Sequence, residues 1–254
     1  MCGIVGAIGQ RKISDILLEG LRRLEYRGYD SAGMAIIDKK NDVIECIKTV
    51  GKVAALQEKI QDHPLKGTLG IAHTRWATHG KPTEINAHPH CSNDSLALVH
   101  NGIIENFQAL KKELVSQGYE FQTETDTEVI VHLIHSLMVN ANLDFTQAVK
   151  RAISKLEGAY GLAVINKDHP DRIVVARSGS PLVIGVGIGE NFIASDPSAL
   201  GQVTDRFIFL EEGDIAEITN KKVLIWNNET EVKRSIVRLS EEMADSSKGA
   251  YRHF

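Results

Sequence analysis

Two helical segments lie back to back in mid-chain, "DTEVIVHLIHSLMVN" and "DFTQAVKRAISKLEG", and from Ala159 onward the pattern turns to strands. "YGLAVIN", "RIVVARS", "LVIGVG", "NFIASD", "RFIFLEEGDIAEIT" and "KVLIWN" are short, rich in β-branched residues and evenly spaced. The first half alternates instead. "CGIVGAIG" reads as a buried strand whose Gly3, Gly6 and Gly9 allow close packing. "SDILLEGLRRLEYRG" reads as a helix, with Ser14 as its N-cap, Ile13, Leu17, Leu21 and Leu24 at helical spacing, and Gly28 as its stop. "SAGMAIID" and "DVIECIKTV" are strands joined by a turn at Lys39 to Asn41, and "GKVAALQEKI" is a helix. "GTLGIAHTRWA" is a strand entering a loop, "KPTEINAHPH" is irregular, and "SLALVHNGII" is a strand. "NFQALKKELVSQG" is a helix with Asn106 as cap and Gly118 as stop. Such an order suits an α+β sandwich, sheets face to face and helices outside.

The length of 254 residues is ample for a large core. One folded unit is expected over 1–239. The polar, aperiodic "SEEMADSSKGAYRHF" at 240–254 is expected to be a tail or the start of a linker. A net charge of -4 gives no reason to expect nucleic acid or a membrane surface as partner. Three cysteines make no disulfide framework, the N-terminus lacks a signal-peptide pattern, and no window is apolar enough to span a bilayer. The expected location is the cytoplasm.

The cysteine at position 2 calls for an explanation. As a small apolar residue it could simply begin the first strand. If Met1 is removed, however, Cys2 carries a thiol and a free α-amine together. An α-amine has a reference pKa of about 7.7–8.0, so it can take the proton of its own thiol near neutral pH. Nucleophile and base then come from one residue.

Other segments offer what acyl transfer needs. In "VHNGII", Asn101 can donate from its side-chain amide and Gly102 from a backbone N–H that a substrate can approach closely, which is the makeup of an oxyanion hole. Asn-Gly is also a common hairpin turn, but here the segment runs from strand toward helix. In "HTRWATHG", Arg75 can clamp a carboxylate with two hydrogen bonds, Trp76 can cover it, Thr78 and His79 can add polar contacts, and Gly80 can hinge the loop. A surface loop with a solvated arginine fits the same octapeptide. In "TETDTEV", Asp126 is either a capping residue at a helix start or a carboxylate for a substrate ammonium. "YRGYDSAG", with Arg27, Tyr29, Asp30 and Ser31, is either a polar network supporting the terminus or a solvated turn. His73, His79, His88, His90, Cys91 and His100 contain zinc-ligand types without a usual ligand spacing, so no metal or other cofactor is expected. "SGSP" at 178–181 lacks a following helix pattern and reads as a turn.

Taken together, "MCGIVGAIG", "LEYRGYDSAG", "GIAHTRWATHG", "NAHPH", "VHNGIIEN", "TETDTEV", "GAYG" and "ARSGSPLVIG" resemble the glutaminase domain of the glucosamine-6-phosphate synthase family, from Cys2 to the closing "YRHF". The opening "CGI" is shared with the phosphoribosylamine-forming and asparagine-forming amidotransferases; "EYRGYDSAG" with "HTRWATHG" is more specific. Thr123 stands where Ser is more usual.

The resemblance implies a four-layer αββα sandwich of two mainly antiparallel sheets. It implies that Cys2 attacks the side-chain amide of L-glutamine, that Asn101 and Gly102 form the oxyanion hole, and that Arg75 and Asp126 hold the substrate's carboxylate and amine. Trp76, Thr78 and His79 would sit on a closing loop, with Arg27 organising the terminus. It further implies a sugar-isomerase region in the same polypeptide that uses the ammonia to convert fructose 6-phosphate to glucosamine 6-phosphate, and it allows a homodimer of that full-length enzyme. Two other readings are a glutamine-binding sensor without turnover and a glutaminase serving a phosphoribosyl or asparagine-type acceptor.

Overall fold

The computed structural model of the chain describes residues 2–76 and 80–239. In chain order the elements are β1 (Gly3–Ile8), α1 (Ser14–Leu24), β2 (Ser31–Asp38), β3 (Val43–Val50), α2 (Val53–Asp62), β4 (Leu69–Arg75), β5 (His90–Ser92), β6 (Leu96–Ile104) and α3 (Phe107–Ser116). Then come α4 (Glu128–Asn140), α5 (Phe145–Ile153), β7 (Gly158–Asn166), β8 (Ile173–Ser178), β9 (Val183–Val186), β10 (Asn191–Ala194), β11 (Arg206–Phe209), β12 (Asp214–Ile218), β13 (Val223–Asn227), β14 (Thr230–Val232) and β15 (Ile236–Arg238). One sheet runs β15-β11-β9-β10-β1-β4-β2-β3 and the other β14-β13-β12-β8-β7-β6-β5.

Three apolar clusters separate four layers. Leu17, Leu21 and Leu56 of α1 and α2 pack on the outer face of the first sheet. Ile4, Ala35, Ile71, Ala97, Val99 and Ile165 fill the space between the sheets. Val129, Ile130, Phe145 and Val149 of α4 and α5 cover the outer face of the second sheet. The alternation along each strand explains this. In β1, Val5 and Ala7 face the helices while Ile4 and Ile8 face the opposite sheet. The αββα order and the antiparallel ladders match the expected α+β architecture.

Several local expectations need correction. Ser14 does not cap α1: it is the first helical residue, Ile13 occupies the cap position without a side-chain bond, and the Ser14 hydroxyl is buried without a partner. Asn106 does precede α3, but its side chain bonds Lys155 O and Glu157 N–H, fastening α3 to the approach of β7. "RFIFLEEGDIAEIT" is two strands, not one. Gly213, at φ 79, and a return bond from Asp214 N–H to Glu211 O turn the chain, so β11 pairs in the first sheet and β12 in the second. "KPTEINAHPH" ends in structure, because His90 begins β5.

β1 is an interior strand, paired to β10 on one side and to β4 on the other. A Cβ on Gly6 would fall 2.5 Å from Cγ1 of Ile193, so the glycine lets β1 sit at this depth. The segment that leads into β5 comes close to Gly33 of β2, where a Cβ would lie 2.1 Å from the carbonyl oxygen of His88. Backbone cannot yield as a flexible side chain does. Gly33→Ala is therefore expected to cost about 1–3 kcal/mol through overpacking, read as a lowered urea midpoint at unchanged slope; an unchanged midpoint would contradict the close approach.

Candidate active site

Cys2 stands one residue before β1, and the first ladder pair of that strand, Gly3 with Thr74, fixes it beside the end of β4. The backbone N–H of Trp76 donates to Cys2 Sγ at 3.2 Å, and Sγ lies 3.5 Å from Trp76 O. Burial pushes the Cys2 thiol up, against the pull of the Trp76 N–H bond, so the group is a protonated thiol at neutral pH. Among the described residues, its hydrogen bonds come from this backbone rather than from an imidazole.

Asn101 and Gly102 lie within β6, not in a turn, and pair with Gly161 and Tyr160 of the distant β7. Asn101 Nδ2 donates to the Cys2 carbonyl at 3.2 Å. Its Oδ1 lies 2.9 Å from His73 Nε2, which is also 3.1 Å from His100 O. Both partners of Nε2 are acceptors, so Nε2 carries the proton and the amide orientation is set: Oδ1 toward His73, Nδ2 toward Cys2. Gly102 has φ 134, and a Cβ there would fall 1.9 Å from Ala159 O. The position is closed to any side chain.

Arg75 ends β4 and is only 4% exposed. Its guanidinium donates to Gly80 O at 3.0 Å and Lys81 O at 3.3 Å, and sits 3.8 Å from the Asp30 carboxylate. Asp30 is held in turn by the Ser31 hydroxyl at 2.9 Å, and its N–H donates to Arg75 O. "YRGYDSAG" therefore contributes a network, not a solvated turn. The ring of Trp76 lies against Gly28, where a Cβ would be 2.6 Å from the indole, and the residue is 53% exposed. Asp126 does not cap a helix; its Oδ2 accepts from Ile104 N–H at 2.7 Å, just past Gly102. The loop before it is pinned by Glu128. Burial raises that carboxyl, but the His132 ring 3.6 Å away and hydrogen bonds from Gln122 N–H, Thr123 N–H and the Thr123 hydroxyl outweigh it and hold the pKa at about 2. Thr78 and His79, expected on the loop, lie outside the described residues, as do Met1 and the side chain of Arg27.

Cys2, Arg75, Trp76, Asn101, Gly102 and Asp126 line one cavity of ≈ 520 Å³, a size suited to a small metabolite. Three contributors escaped sequence reasoning. Ser180 and Pro181 of the "SGSP" turn form part of its wall. Ser195, which accepts from Ile4 N–H at 3.0 Å, anchors β1 beside it. The third is the histidine cluster behind Asn101. His73 stacks on His88 with ring centroids 4.2 Å apart. His100 N–H donates to His88 Nδ1, and Thr127 Oγ1 lies 3.5 Å from His88 Nε2 and 3.0 Å from His100 Nδ1. These partners are satisfied by neutral rings, and no group of three or more His, Cys, Asp or Glu among the described residues is arranged to hold a metal ion. A larger cavity of ≈ 600 Å³ opens between α4 and β5, among Lys48, Cys91, Tyr119 and His132, away from Cys2.

Burial holds the cluster neutral: His73 is lowered to about 3, and His88, His90 and His100 also lie below the usual value of 6.5. The unfolded chain takes up protons near 6.5 that the folded chain refuses, so stability present above that pH is lost as pH falls below it. The thermal midpoint should therefore decline between pH 6.5 and 4.5, before carboxylates at their usual value of 4.5 titrate. A flat midpoint across that window would contradict the neutral cluster.

Residues 73–202 match the family model described as "Glutamine amidotransferase domain". The whole chain is 60% identical to the glutamine–fructose-6-phosphate aminotransferase [isomerizing] of Pseudomonas aeruginosa and 55% identical to that of Escherichia coli K12. In each case it covers 100% of this chain and 41% of the relative, so the chain spans less than half the length of these curated relatives. Among solved structures, the glutamine phosphoribosylpyrophosphate amidotransferase of B. subtilis superposes with a TM-score of 0.76 at 28% identity, over 89% of this chain and 49% of that one. A glutamine aminotransferase class-II domain protein from Silicibacter pomeroyi, at TM-score 0.59 and 18% identity over 89% of this chain and 99% of that one, shares the fold.

Proposed function

Because the chain belongs to the glutamine amidotransferase domain family, we propose that Cys2, freed of Met1, hydrolyses the side-chain amide of L-glutamine. The observation that carries this reading is the Asn101 amide, locked by His73 with its N–H groups toward Cys2 in the cavity lined by Arg75 and Asp126.

The thiol is protonated in its buried setting, so attack needs a base. The α-amine of a terminal Cys2 is that base and travels with the nucleophile. It takes the thiol proton as sulfur attacks the amide carbon. The oxyanion that forms is met by Asn101 Nδ2 and Gly102 N–H. The ammonium then gives its proton to the leaving nitrogen, the carbon–nitrogen bond breaks, and ammonia departs. Water attacks the γ-glutamyl thioester through a second oxyanion, releasing glutamate and restoring the thiol. Arg75 receives the substrate α-carboxylate and Asp126 its ammonium, which fixes the side chain toward sulfur. Trp76, Thr78 and His79 form the loop that covers it, and Arg27 steadies the terminal residue.

Residues 1–239 are the glutaminase unit, and 240–254 join it to a sugar-isomerase region like that of the full-length relatives. There the ammonia aminates fructose 6-phosphate to give glucosamine 6-phosphate in the cytoplasm. The high identity to the fructose-6-phosphate enzymes supports this acceptor over a phosphoribosyl one. No described helix is long and apolar enough to cross a membrane.

The 254-residue chain should release glutamate and ammonia in equal amounts, with no glucosamine 6-phosphate when fructose 6-phosphate is added. Cys2→Ala should abolish release yet retain glutamine binding by calorimetry; ammonia release by that variant would sink the assignment. Asn101→Ala should lower kcat by about 10²–10³-fold with KM little changed. Arg75→Ala should raise KM by roughly 10–100-fold, the loss of a charged hydrogen-bonded contact of about 1.5–3 kcal/mol. The opposite split between the two variants would reverse their roles.

A further inference from the structure

Two cysteines take no part in the chemistry above. Cys46 lies in β3 and Cys91 in β5, and each strand is the last of its sheet. Cys46 pairs across the ladder with Ala35, and Cys91 pairs with Ala97. Residues directly opposite in an antiparallel ladder share a face. Ala35 and Ala97 both belong to the core between the sheets. The two thiols therefore point into the same inter-sheet space, one from each side, at its open edge. The chain entering β5 comes close to the first sheet there: Gly33, the ladder partner of Lys48, packs against His88 O, three residues before Cys91. Both cysteines are free and exposed.

We infer that Cys46 and Cys91 form a redox-reversible dithiol that closes, on meeting a small-molecule disulfide, into a bond tying the edge of one sheet to the edge of the other. The order of events follows from the surroundings. The interaction of the two thiols raises Cys46 and lowers Cys91, and the Lys48 ammonium favours the thiolate at both. Cys91 is thus the attacking group. Its thiolate displaces one thiolate from the small disulfide and forms a mixed disulfide. Cys46 loses its proton, attacks the Cys91 sulfur and expels the second small thiol. Two protein thiols are oxidised to one disulfide, and one small disulfide is reduced to two thiols. A link between residues 46 and 91 restricts the unfolded chain and stabilises the fold.

The test uses the chain as it stands, with glutathione disulfide as oxidant and Cys46→Ser and Cys91→Ser as controls. Expected is a product two hydrogen atoms lighter, with a Cys46–Cys91 peptide in a non-reducing digest, a higher thermal midpoint, and full reversal by dithiothreitol. Each serine variant should lack the linked peptide and hydrolyse glutamine at the unmodified rate when reduced. Under limiting iodoacetamide, Cys91 should be alkylated ahead of Cys46. Separate glutathione adducts on Cys46 and Cys91, or both thiols left free without the linked peptide, would overturn the proposal. So would the same thermal midpoint in the oxidised and reduced chains.

Discussion

Everything at the site depends on β1 being an interior strand. A chain terminus ordinarily frays, because nothing holds its last backbone groups. Here the first strand is hydrogen-bonded on both sides, to β4 and β10, and buried on both faces by the helices and the opposite sheet. Cys2 inherits that rigidity, one residue away from the Gly3–Thr74 pair. In the proposed mechanism Cys2 carries its own base and can use it only if both groups are held still, which gives the ladder around β1 as large a part in that chemistry as the thiol.

The second constraint is the dry set of imidazoles behind β6. An amide side chain that must present N–H to a reacting centre can flip unless its oxygen is claimed. His73 claims it, and burial keeps His73 neutral. A charged ring would be costly in that setting. The cluster thus turns burial, which disfavours charge, into a means of aiming Asn101. Arg75 performs a comparable double task at the other wall: it fastens the carbonyls of Gly80 and Lys81 and faces the cavity, with Asp30 behind it.

Much of this was legible in the sequence. The apolar periodicities placed the helices and most strands, because burial on one face leaves a regular trace. The motif residues Cys2, Arg75, Asn101, Gly102 and Asp126 come together around one cavity from four separated segments. What the sequence did not reveal is set by distant partners. Ser14 has a capping side chain, yet the helix begins at the serine itself. Within "RFIFLEEGDIAEIT" the break at "EEGD" is short, and only the turn bonds at 211–214 show that the chain changes sheets. The histidines carried ligand-type chemistry in one dimension and a stacked, hydrogen-bonded support in three. Gly102 was expected to admit substrate to its N–H; the structure adds a tighter reason, the carbonyl of Ala159 lying where a Cβ would be.

The central claim is that nucleophile and base are one residue, which requires the mature chain to begin at Cys2. Intact-mass measurement of active protein after treatment with an electrophilic glutamine analogue, followed by peptide mapping, tests it directly. The account predicts a chain lacking Met1 with one label, on Cys2, and activity lost in proportion to labelling. Full turnover by a chain that retains Met1, or loss of activity with the label on Cys46 or Cys91 instead, would contradict it.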